Sequence, residues 1–192
     1  MEDFNGLLIS CPRHMEDQAA REVSDILYEK LDYKNSWVTP IYDLNGLLIA
    51  EFEENPSVVI KELIALLEDE EQEDLFYYTL KIVPIMYKME TDLEEIKKTA
   101  TKFNEKIQEN DKWRILLRRR KCDIPREDII EAAAAHIKSG IVDLESPKFY
   151  IRIEVAGNTT YISFSRIKEL SLVKYKRKKD ELDDLIISEE SL

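Results

Sequence analysis

The chain is predicted to be an α/β protein of the α+β type, built from two units. Three observations predict it. Hydrophobic residues recur with a period of two in some stretches and of three to four in others, in the order β-α-β-β-α-β over residues 1–89. A fresh helix start at Thr91 opens a second strand–helix–hairpin unit over residues 90–168, followed by a charged C-terminal tail, 169–192. The sign of the charge also changes between the halves. Residues 1–90 carry 7 basic and 20 acidic side chains, a net −13, whereas residues 112–179 carry 17 basic and 8 acidic, a net +9.

The first unit opens with a strand, Phe4 to Ser10, whose Leu7-Leu8-Ile9 is a short apolar run. A helix follows from about Met15 to Leu31, with Met15, Ala19, Val23, Ile26, Leu27 and Leu31 on one face. Trp37 to Tyr42 and Leu47 to Phe52 are strands joined by the turn Asp43-Leu44-Asn45-Gly46. Asn55 caps the next helix and Pro56 takes its first position, where a missing N–H costs nothing. Val59, Ile60, Leu63, Leu66 and Leu67 form its inner face, and Glu68 to Asp74 is a solvated acidic run with no calcium-loop spacing. Tyr77 to Met89 is extended, interrupted by Pro84. This order is the ferredoxin-like pattern, with two helices on one face of a four-stranded antiparallel sheet.

In the second unit, Thr91-Asp92-Leu93-Glu94 reads as a capping box, and Leu93, Ile96, Ala100, Phe103 and Ile107 as an apolar stripe. Trp113 to Arg119 is a strand that runs into a basic cluster, Arg118-Arg119-Arg120-Lys121. A helix from Arg126 to Ile137 follows Pro125, and Gly140 ends it in left-handed geometry. Tyr150 to Ala156 and Thr160 to Phe164 form a hairpin around Gly157-Asn158. From Glu169 the pattern fades into the basic run Lys174 to Lys179 and an acidic end, Asp180 to Leu192.

Composition narrows the function. The chain is 44% hydrophobic and 35% charged, enough to bury a core. No apolar run approaches the ~20 residues of a membrane span, and acidic Met1-Glu2-Asp3 is no signal peptide. Two cysteines, Cys11 and Cys122, make neither a ligand set nor a disulfide framework and point to a reducing, cytoplasmic setting. They lack a neighbouring base, two distant histidines make no metal site, and no phosphate-cradling glycine loop is present. No catalytic residues, metal or cofactor are therefore expected.

The overall charge of −12 argues against a nucleic-acid partner. Counterion release, however, depends on the local patch, and the second half is basic. Arg118, Arg119, Arg120 and Lys121 stand before a helix N-terminus, where Arg126 and the first-turn N–H groups add to an anion site. The competing reading pairs them with acidic neighbours such as Glu127 and Asp128. Arg114 and Arg152 lie on neighbouring strands and either extend the patch or pair with Glu154. Lys138 either joins it or favours the helix C-terminus. Lys148, Arg166, Lys168 and the lysine-rich tail offer further phosphate contacts. Arg13 and His14 form a second candidate loop. His136 is read as structural, and Tyr77, Tyr78 and Tyr87 as core or rim.

These residues carry a resemblance. Trp113-Arg114-Ile115, the helix from Arg126 to Ile137, Val142-Asp143-Leu144 with Pro147, and Ile151-Arg152-Ile153-Glu154-Val155 resemble the THUMP domain, a tRNA-binding module attached to tRNA-modifying enzymes. A ferredoxin-like unit usually precedes it. Leu8-Ile9-Ser10-Cys11 and its helix look like the start of standalone THUMP proteins that assist N4-acetylcytidine formation in tRNA. The resemblance implies a mixed sheet in the second unit and binding to the acceptor end of tRNA. It also implies a partner acting in trans, an RNA acetyltransferase, because this chain is too short to hold a methyltransferase or sulfurtransferase domain as well. The alternatives are an adaptor for tRNA methylation or thiolation, a protein-interaction module without RNA, and a small enzyme with an unrecognised site.

Overall fold

The computed structural model describes residues 2–69 and 75–173. The acidic run 70–74 and the basic tail from Lys174 onward lie outside the described residues. Element order is β1 (Glu2–Ser10), α1 (Glu16–Asp25), β2 (Trp37–Pro40), β3 (Leu47–Glu51), α2 (Pro56–Glu68), β4 (Lys81–Glu90), α3 (Leu93–Thr101), β5 (Lys112–Arg120), α4 (Arg126–Ala134), β6 (Ile141–Val142), β7 (Phe149–Ala156), β8 (Thr159–Ser165) and β9 (Leu170–Ser171). The first helix continues as a π-helical turn, Ile26–Lys30, and the third as a 3₁₀ turn, Lys102–Lys106.

Among the described residues these strands form one mixed sheet in the order β2-β3-β1-β4-β8-β7-β5-β6, with β9 on the remaining part of β4. The first four are antiparallel, as the ferredoxin-like pattern requires. β5 runs parallel to both β7 and β6, which makes the second half mixed. β4 joins the halves. One edge pairs with β1, and the other pairs with β9 at Lys81 and Ile82 and with β8 from Tyr87 to Glu90. Pro84 falls in the stretch between, where the second edge has no strand partner among the described residues, so a proline fits there.

Alternation sorts the core. Leu7, Ile9, Leu48, Ala50 and Ile82 face α1 and α2. Trp113, Leu117, Ile151, Ile153 and Ile162 face α3 and α4, where Phe103 stacks on Phe164 at 5.3 Å. A third cluster, including Phe4, Leu8, Val83, Ile85, Ala156 and Tyr161, lies on the side away from the helices and unites the halves.

Several local expectations are corrected. The N-cap of α3 is Asp92, whose carboxylate accepts from Glu94 and Glu95 N–H. The Thr91 hydroxyl instead contacts the Gly157 carbonyl and Thr160. Helix α4 stops at Ala134, because Asn104 takes the Lys138 N–H (2.8 Å) and donates to the His136 carbonyl. Gly140 (φ +79°) does not cap that helix. It lets the chain pass close to Asp111 and Trp113, which a Cβ there would strike at 2.6 and 2.8 Å. β4 begins at Lys81, leaving Tyr77 and Tyr78 exposed before it. The stretch after Glu169 is not featureless: β9 pairs with β4, and Leu170 and Leu172 are buried in the first core.

Candidate nucleic-acid interface

Strand β5 buries Trp113 and Leu117 against the helices and therefore turns Arg114, Leu116, Arg118 and Arg120 to the other side. At Lys121 the backbone enters the left-handed region (φ +50°), so the strand stops and the chain swings toward α4. Arg119 donates to the Ile124 carbonyl and Arg126 donates back to the Leu117 carbonyl (3.0 Å), pinning this connection from both sides. Arg119, Lys121 and Arg126 thus lie where β5 hands over to α4, and Arg118 and Arg120 project from the opposite face of the sheet at the same strand end. Among the described residues no side chain caps α4, so its first-turn N–H groups stay free beside Arg119, Lys121 and Arg126.

The acidic neighbours do not neutralise this cluster. Among the described residues none of its five cations pairs with Asp123, Glu127 or Asp128. Arg119 and Arg126 bond only to carbonyls, which leaves their charge intact. Arg118 and Lys121 are exposed. Among the described residues only Arg120 of the five meets a carboxylate, Glu154, at 2.9 Å.

The remaining candidates separate into two groups. Arg114, Lys138, Lys148 and Arg166 belong to the opposite end of β5 and β7. Seven residues of strand separate Trp113 and Phe149 from Arg120 and Ala156, about 23 Å at the rise of a strand. There Lys148 pairs with Asp111 (2.6 Å), and Lys148 and Arg166 lie 5.0 and 5.1 Å from the Phe149 ring centroid. The Lys148 ammonium holds the Asp111 carboxyl below its ordinary range. Arg114 donates to the Leu144 carbonyl (2.6 Å). The side chains of Lys138 and Lys168 are exposed.

Arg152 stands apart, because it is only 4% exposed. It is held by Glu154 and Glu169 beneath the surface and is not available to a macromolecule. Arg13 and His14 are exposed after β1, with His14 in the left-handed region (φ +68°).

Two lysines escaped sequence reasoning. Lys112 pairs with Asp143 (2.7 Å) and is half exposed. Lys81, from the acidic half, reaches the Arg118 side of the sheet. Burial lowers its pKa most, and Arg118 lowers it further against the opposing pull of Glu169. No local pattern brings Lys81 to Arg118; only the sheet order does. Among the described residues no group of His, Cys, Asp and Glu is arranged to hold a metal, and no helix is long and apolar enough to cross a membrane.

The structure thus joins a ferredoxin-like half to a mixed sheet that ends in a basic strand–helix junction. Residues 90–165 match the family model of the THUMP domain, and the chain carries that domain there. Similar solved structures include PH1313 from Pyrococcus horikoshii Ot3, with a TM-score of 0.61 and 19% identity over 87% of this chain and 55% of that one. TrmN from Thermus thermophilus gives 0.56 and 12% over 87% of this chain and 46% of that one. A 4-thiouridine synthetase, in a complex with RNA and bound ATP, gives 0.55 and 13% over 88% of this chain and 42% of that one. At these identities the likeness is one of fold. This chain spans about half the length of the structures it resembles. No curated protein sequence matches it.

Proposed function

We propose that the protein binds tRNA through the junction of β5 and α4 and presents its acceptor end, in the cytoplasm, to a modifying enzyme acting in trans. The observation that carries this reading is the charge of Arg118, Arg119, Lys121 and Arg126, which no carboxylate among the described residues pairs. Arg120 adds a further guanidinium, partly engaged by Glu154. Guanidinium groups and an uncapped helix start both favour phosphate. RNA helices hide their base edges, so recognition here rests on backbone, shape and the unpaired end. Lys148 and Arg166, about 23 Å along the sheet, provide a second phosphate contact.

The modification assigned is N4-acetylcytidine formation, with an RNA acetyltransferase as the partner. Support comes from the resemblance of Leu8-Ile9-Ser10-Cys11 and its helix to the standalone THUMP proteins of that pathway. The fold likeness to TrmN and to a 4-thiouridine synthetase favours a second reading, an adaptor for methylation or thiolation. Binding of purified tRNA, with and without its unpaired 3′ end, tests the RNA contact. Absence of binding at low salt refutes it. Nucleoside analysis after gene deletion separates the pathways: acetylcytidine disappears under the first reading, while a thiolated or methylated nucleoside disappears under the second.

A further inference from the structure

On the side of the sheet away from the helices, five charged groups form a chain. Arg120 Nη1 donates to Glu154 Oε2 at 2.9 Å, and the other Glu154 oxygen accepts from Arg152 Nε at 2.6 Å. Arg152 Nη1 donates to Glu169 Oε2 at 3.2 Å, and Lys81 Nζ lies 3.5 Å from that oxygen. The inner members are deeply buried: the Glu154 side chain is 1% exposed and that of Arg152 is 5%. Of the two ends, that of Arg120 is the more open, at 29% against 19% for Lys81.

We infer that Glu154 and Arg152 are positioning residues that hold the Arg120 guanidinium in place for a phosphate. This rests on the tRNA reading above. Arg120 ends a strand and has a long, flexible side chain, which contact with RNA would have to order. Glu154 takes one of its nitrogens, so the guanidinium plane is set before any ligand arrives. Glu154 is itself fixed because Arg152 takes its second oxygen. Glu169 anchors Arg152 from the segment just before β9, which ties the arrangement to β4. A bare carboxylate beside Arg120 would compete with phosphate. A carboxylate already shared with a buried Arg152 withdraws less charge from Arg120 and leaves its outer N–H groups to the ligand.

The test is a substitution that keeps net charge constant, R152M/E154L, compared with R120M and with the triple variant. Because apolar replacement of both partners of a buried ion pair is tolerated, the fold is expected to persist, as checked by circular dichroism. The inference predicts that tRNA affinity of R152M/E154L falls about three- to tenfold, that its salt dependence loses about one phosphate, a slope change of roughly 0.7–0.9, and that adding R120M changes little more. If R152M/E154L keeps the affinity and slope of the unaltered protein while R120M weakens binding, the positioning role is refuted and the tRNA reading stands. If neither the protein nor R120M shows tRNA-dependent behaviour, the tRNA reading itself fails. A measurement on the unaltered protein guards against misfolding of the variant. Guanidinium rotation followed by NMR should be slow for Arg120 and fast for Arg118 before RNA is added. Equally fast rotation of both overturns the inference.

Discussion

Replacing Arg118 and Lys121 with alanine isolates the charge on which the account depends. Both side chains are exposed and neither stabilises the connection between β5 and α4, a task that falls to Arg119 and Arg126. The fold should therefore survive R118A/K121A. If the five cations of the cluster each neutralise one phosphate, the logarithm of affinity falls against that of salt with a slope of about −3.5 to −4.5, or 0.7–0.9 per phosphate. Raising KCl fourfold, from 50 to 200 mM, then weakens binding by roughly 130- to 500-fold. Removing two cations leaves a slope of about −2.1 to −2.7 and a loss of only roughly 20- to 40-fold. Fluorescence anisotropy of labelled tRNA over that salt range measures both. A variant that weakens binding yet retains the original slope would refute the reasoning, because a lost phosphate contact must release fewer counterions.

Other predictions concern the frame around the site. Gly140→Ala adds a Cβ at φ +79°, 2.6 Å from the Asp111 carbonyl; strain and overpacking together should cost about 2–5 kcal/mol, read as a lower denaturation midpoint at unchanged m-value. Asp143 accepts from Lys112 and from the Ser146 and Glu145 N–H groups, which hold its carboxyl at a pKa of about 2. A depressed folded pKa stabilises above the unfolded value of roughly 4 and loses that effect as pH falls toward the folded value. The melting temperature of D143N should therefore lie below that of the unaltered protein at pH 6 and converge with it near pH 2; a gap constant with pH contradicts this. Cys11 is buried, and burial, then Glu16 and Glu22, push its thiol up to about 11. At pH 8 Ellman's reagent should reach Cys122 and spare Cys11 until the protein is unfolded.

What the sequence reveals and what it hides follow from the range of the interactions. Leu7, Ile9, Val59 and Leu63 alternate or recur within one element, so the ferredoxin-like order can be read locally. The same holds for Trp113 and Leu117 and for the Gly157 hairpin turn. Both Thr91 and Asp92 are good caps; contacts of Thr91 with Gly157 and Thr160, far along the chain, decide between them. The end of α4 depends on Asn104, a residue of the 3₁₀ turn that continues α3, on the far side of β5 in the chain. β9 is too short to show a period, and only its pairing with β4 defines it. In the site, the Arg118–Lys121 cluster is visible as a run of letters. Arg152, in contrast, has the same residue type and the same strand setting, and only the meeting of Glu154 and Glu169 beneath the surface removes it from the interface. The approach of Lys81 to Arg118 depends on the whole sheet order.

The central claim, that RNA docks where β5 meets α4, is tested most directly by hydrogen exchange of the full chain with and without tRNA. The account predicts slowed exchange in residues 118–128, with residues 37–54 of the acidic half unchanged. Protection confined to the acidic half, or none at a tRNA concentration that saturates binding, would contradict it.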